Sequence, residues 1–132
     1  MADAENNMVT FSFEKLDAYV YSRDLVKEIY KLQKKFPKEE VFALGDQIRR
    51  AAASITANIA EGCGRNSEKE KVRFVEIAFG SLTESFSELQ IAQDLGYITE
   101  DELNNLRPKF SQVARILSGL RKSLVDSINR KP

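Results

Sequence analysis

"QIRRAAASITANIAEG", Gln47 to Gly62, decides the fold. Ile48, Ala52, Ile55 and Ile59 recur at steps of three and four, the spacing of one helix face, and Val41 and Leu44 extend the stripe. The stretch is unusual in its charge. From Ala51 to Ala60 there is none, in a chain where 30% of residues are charged. Exposed helix surface normally carries Lys and Glu, so a helix that is neutral on most sides is buried on most sides. Ala51, Ala53, Ala57 and Ala60 spread small apolar surface around the other sides. Gln47, Arg50, Ser54, Asn58 and Glu61 form one polar line on a second face.

Two readings of that second face are open. In the local one, alanine is simply the best helix former, and Ser and Asn touch water. In the other, the face meets a close-packed helix of the same chain or another subunit. A buried, unsatisfied polar group costs about 1–3 kcal/mol and an unpaired charge more, so the line then needs partners. "GSLTESFSE", Gly80 to Glu88, offers them. Gly80 and Ser81 allow close backbone approach, and Glu84 and Glu88 lie one turn apart. The expectation is a polar seam joining Gln47, Arg50, Ser54 and Asn58 to Ser81, Glu84 and Glu88, within or between subunits.

Outward from this stretch the apolar spacing stays helical, with no sustained period-two alternation. A first helix is predicted from Phe13 to Phe36, with Leu16, Tyr19, Val20, Ile29, Leu32 and Phe36 as its stripe. Pro37 suits the first position of the second helix, which should run to Glu61 and end where Gly62 or Gly64 turns left-handed. Ser67 with Glu70, and Thr99 with Glu102, are capping boxes that open a third and a fourth helix. Gly96 stops the third. Leu103, Leu106, Phe110, Val113, Leu117, Leu120 and Leu124 give the fourth a heptad seam, which Pro108 should bend or loosen. Four long helices with short connections predict an all-α, antiparallel up-down-up-down four-helix bundle over residues 13–128. A flexible segment is expected over 1–12 and a frayed end over 129–132.

Composition narrows the function. Length, 132 residues, suits one domain. Twenty Lys and Arg balance twenty Asp and Glu, which argues against a strongly basic nucleic-acid binder but not against a local patch. The absence of histidine removes the usual general base and metal ligand. A single cysteine, Cys63, allows no intramolecular disulfide and has no histidine to activate it. "MADAENNMVT" does not read as a secretory leader, and no apolar run approaches the roughly 20 residues of a membrane span. A cytoplasmic protein is expected, with no catalytic residues, metal, cofactor or membrane partner.

Two site readings compete with assembly. Glu61, Glu84 and Glu88 would have to converge to make a metal-dependent hydrolase. Arg107, Lys109, Arg115, Arg121 and Lys122 of the fourth helix, with Arg65, Lys69, Lys71 and Arg73 at the turn between the second and third helices, would meet the phosphates of RNA or DNA. Glu68, Glu70 and Asp126 dilute that patch, which otherwise reads as a solvated face.

"FEKLDAYVYSRDLV", the second helix with its "NIAEG" ending, "FVEIAFGSLTESFSELQIAQDLGYI" and "ILSGLRKSL" together resemble the 23S rRNA intervening-sequence protein family, also labelled a ribosomal protein family. The resemblance runs from about Phe13 to Leu124. It implies a four-helix bundle, ring-shaped homopentamers and no established catalytic role. It marks Gln47, Arg50, Ser54, Asn58, Glu61, Gly62, Gly80, Ser81 and Glu84 as structural and assembly residues. Accessory proteins of diversity-generating retroelements are distantly similar. They bind nucleic acid but are strongly basic, whereas this chain is neutral.

Overall fold

A computed structural model describes residues 8–132; the part of the expected flexible segment at residues 1–7 lies outside the described residues. Four α-helices follow one another: α1 (Asp17–Gln33), α2 (Leu44–Cys63), α3 (Glu68–Asp94) and α4 (Glu100–Arg130). Short 3-10 turns at Ser12–Lys15 and Lys38–Glu40 precede α1 and α2. Among the described residues there is no strand and no helix long and apolar enough to cross a membrane.

Side-chain pairs fix the directions. Glu76 meets Arg121, Phe86 meets Phe110 and Glu68 meets Lys131, so α3 and α4 run antiparallel. Asp24 with Lys109 and Lys35 with Glu102 set α1 antiparallel to α4. Ser54 with Ser81, and Gly62 under Phe74, do the same for α2 and α3. The Tyr30 hydroxyl donates to the Arg49 carbonyl across α1 and α2. α1 and α3 each pack on α2 and α4 but not on each other, so the helices form a square with α1 diagonal to α3.

The core follows the helical stripes. Leu25, Ile29, Ile48, Ile55, Leu89, Leu103, Val113 and Leu117 are fully buried. On α1 the buried line includes Ala18 and Ser22, while Val20, assigned to the stripe from sequence, is 46% exposed. Small side chains thus face the centre at the start of α1 and let its neighbours close in.

Helix boundaries depart from expectation where prolines and glycines were read. Leu16 is extended, so α1 starts at Asp17 rather than Phe13, and it ends at Gln33 rather than Phe36. Pro37 is extended and caps the 3-10 turn, so it does not open α2. The helix begins at Leu44, whose N–H donates to the Glu40 carboxylate while Arg49 donates to the Val41 carbonyl. At its far end α2 continues through Gly62 to Cys63, and Gly64 keeps a right-handed backbone (φ −88°). Among the described residues only Gly96 takes positive φ, 81°, where it stops α3. The Thr99–Glu102 box is complete, whereas Ser67 caps α3 without a returning bond from Glu70. α4 runs through Pro108 unbroken.

Candidate functional site

The helix α2 reaches α3 through its smallest residues. Gly62 is buried because a Cβ there would stand 2.7 Å from the Phe74 Cβ. At mid-helix Ser54 Oγ accepts hydrogen bonds of 2.8 Å from both Ser81 Oγ and Asn58 Nδ2. Asn58 Nδ2 also donates to the Ser54 carbonyl, and buried Ser85 donates to the Ser81 carbonyl. The structure therefore brings Ser54, Asn58 and Ser81 together.

It does not bring the charged members of the predicted line to them. Arg50 turns along its own helix and donates to Asp46 at 2.9 Å, a local pair that closes no loop. Glu61 pairs in the same way with Arg65. Gln47 and Glu84 are exposed. Glu88 is half-buried beside Glu84, and its Oε2 is buried without a hydrogen-bond partner. Burial first, and the Glu84 carboxylate second, push the Glu88 carboxyl up to about 7. The sequence held a signal for this that charge balance hides. Between Arg73 and Arg107 there is no Lys or Arg, while Glu76, Glu84, Glu88, Asp94, Glu100, Asp101 and Glu102 all fall there. Glu88 has no cation on its own helix within several turns.

Outside the hydroxyl seam the paired surface is bare. Ala53 and Ala57 are exposed on α2, and Gly80 on α3 has open space where a Cβ would stand. Ile77 and Ile91, 39% and 47% exposed, continue this surface along α3.

The nine candidate phosphate-binding cations do not form one patch. On α4, Lys109 turns to Asp24 and Glu28 of α1, whereas Arg121 turns to Glu76 of α3. The Arg107 guanidinium lies over the Phe86 ring at 4.8 Å, and Lys122 pairs with Asp126. Arg65 lies over Phe74 as well as bonding Glu61, and Arg73 meets Glu70. Lys71 is half-buried beside Cys63, while Lys69 and Arg115 are exposed without an ion pair among the described residues. The Lys109 hydrogen bond holds Asp24 below the usual carboxylate range, and Asp24 in turn raises Lys109. Glu61 stands by the α2–α3 turn, well away from Glu84 and Glu88, so the three glutamates do not converge. No group of three or more Asp, Glu, Cys or His able to hold a metal ion occurs among the described residues.

Comparison with known proteins agrees with this architecture. No match was found among curated proteins. The structure is similar to the crystal structure of a protein of unknown function from the S23 ribosomal protein family, from Bacteroides thetaiotaomicron VPI-5482. That match has a TM-score of 0.73 and 23% identity and covers 80% of this chain and 98% of the other; at that identity it speaks for the fold alone. The profile of the 23S rRNA-intervening sequence proteins matches residues 14–119. The chain belongs to the 23S rRNA-intervening sequence protein family.

Proposed function

We propose that this protein is a non-enzymatic binding or scaffold module of the cytoplasm that assembles with copies of itself, through the outer faces of α2 and α3. The exposed Ala53 and Ala57 carry this reading. They lie on a helix with no charge from Ala51 to Ala60, next to the open space over Gly80. A solvated face would be dressed as α1 is, with Lys27, Lys31, Lys34 and Lys35 exposed. Small neutral residues instead let a second backbone approach closely. The Ser54–Asn58–Ser81 cluster gives that contact a fixed polar centre. Five copies in a ring is the stoichiometry implied by the sequence resemblance.

An RNA- or DNA-associated role has less support. Five of its nine cations, Arg65, Arg73, Lys109, Arg121 and Lys122, are already held by carboxylates of the chain. The metal-dependent hydrolase reading would need Glu61 to join Glu84 and Glu88. Light scattering tests the assembly: the wild type should give a multiple of 15.0 kDa, and Ala57→Glu should reduce it to a folded monomer. A wild-type monomer at micromolar concentration would refute the proposal. Salt-sensitive binding of a structured RNA would favour the second reading instead.

A further inference from the structure

Between α3 and α4, on the side of the square opposite α1 and α2, the surface carries an apolar groove. Two hollows of about 240 and 300 Å³ meet at Phe79. Leu82, Phe86, Phe110 and Ala114 line the first, which Arg107 borders; Arg121 borders the second. Among the described residues Arg107 bonds only the Asn104 side chain, and it stacks on Phe86. It and Arg115, a little over two turns further along α4, meet no carboxylate among the described residues.

A matching strap stands at the other side of the molecule. Met8, Val9 and Phe11 are 75%, 72% and 58% exposed, three large apolar side chains in four residues with little covering them. Phe11 is extended (φ −80°, ψ 144°) and stacks on Phe13, which packs against Tyr19 of α1. The turn that follows it rests on α1 and α2, with Ser12 Oγ 3.5 Å from Cys63 Sγ. The strap therefore leaves from the α1–α2 side.

It cannot reach its own groove. Two helix layers, each about 10–12 Å across, put the groove roughly 20 Å away. Four extended residues span at most about 14 Å. A second copy presents the same groove without that limit. Charge points the same way, because the chain before Lys15 holds Asp3, Glu5 and Glu14 and no Lys or Arg, while Arg107 and Arg115 lack acidic partners. We propose that Met8–Phe11 of one copy lies in the α3–α4 groove of the next. This rests on the self-assembly reading above and specifies one of its contacts. The contact is heterologous: each copy gives a strap and receives one, which propagates until a ring closes.

Disulfide trapping tests it. In the full chain with Cys63→Ser, Val9→Cys is combined with Ser111→Cys, a position that lines the first hollow, and the protein is oxidised. A ladder of linked chains on a non-reducing gel is expected, with neither single variant giving one. Deleting residues 1–11 should raise the concentration at which the assembly half-dissociates by about tenfold or more, since three apolar side chains return to water. An assembled protein that yields no interchain bond, or that keeps its dissociation midpoint after the deletion, overturns the strap contact and leaves self-assembly standing. A monomeric wild type overturns both.

Discussion

The α2–α3 pair and the α1–α4 pair solve the same packing problem with opposite materials. α1 and α4 are joined at their rims by long charged side chains: Lys35 with Glu102, and Lys109 with Asp24 and Glu28. On the α1–α4 side those pairs complete the surface, because each sits comfortably in water. α2 and α3 are joined by Gly62 against Phe74 and by the Ser54–Ser81 hydroxyl pair, while Asn58 and Ser85 bond within their own helices. Their outer surface is left with bare alanines and a glycine, and Glu88 of α3 keeps a buried carboxylate oxygen without a hydrogen-bond partner. The contrast teaches that the charge balance of the whole chain hides its division of labour. On the self-assembly proposal, the α1–α4 side of the square faces solvent and the α2–α3 side faces protein.

The largest expected effect separates the halves by one substitution in each. Ala57→Glu should abolish the assembly without unfolding the bundle, whereas Lys31→Glu on α1 should leave the mass unchanged in light scattering. Equal loss from both would erase the contrast. Within α2, Gly62→Ala should destabilise by about 1–2 kcal/mol in chemical denaturation. The overpacking against Phe74 costs about 1–3 kcal/mol, partly offset by the better helix propensity of alanine. No loss would mean that the α2–α3 approach is looser than the Gly62–Phe74 geometry requires.

Glu88 provides a pH-dependent probe of the same half. Its carboxyl is raised to about 7 in the fold against an ordinary 4.5. Between those values the folded chain holds a proton that the unfolded chain has lost, so stability falls as pH climbs through the window and levels off above it. Glu88→Gln should remove the slope and gain about 1 kcal/mol at pH 8, a figure kept small because solvent screens a half-exposed group. A slope that survives the substitution would place the titrating group elsewhere. The smallest effect belongs to the finished half. Lys109→Ala should cost below about 1 kcal/mol and lose even that in high salt.

Much of the fold was legible before any coordinates. The stripe Ile48, Ala52, Ile55, Ile59 is buried, as is the run Leu103, Leu106, Phe110, Val113, Leu117, because 3.6-residue spacing leaves few alternatives. Boundaries were less legible. Pro37 fits a helix start locally, but Glu40 and Arg49 hold a 3-10 turn and a hydrogen-bonded Val41–Ala43 turn before α2. The site was readable in its neutral members and unreadable in its charged ones. Ser54 and Ser81 meet because small residues set the helix separation. Arg50 had two acids within reach of a sequence argument, Asp46 and Glu84, and spacing alone could not rank them. Whether cations gather into a patch depends on which neighbour each turns to, as Lys109 and Arg121 show by leaving α4 in different directions.

In the proposed assembly another copy of the chain covers the outer face of α2 and α3. Native mass spectrometry of the wild-type protein at micromolar concentration, in volatile buffer near neutral pH, reads this directly. The expected spectrum shows a single closed species, five copies of the 15.0 kDa chain, that falls to one copy in Ala57→Glu. A folded wild type that registers only as one copy would contradict it.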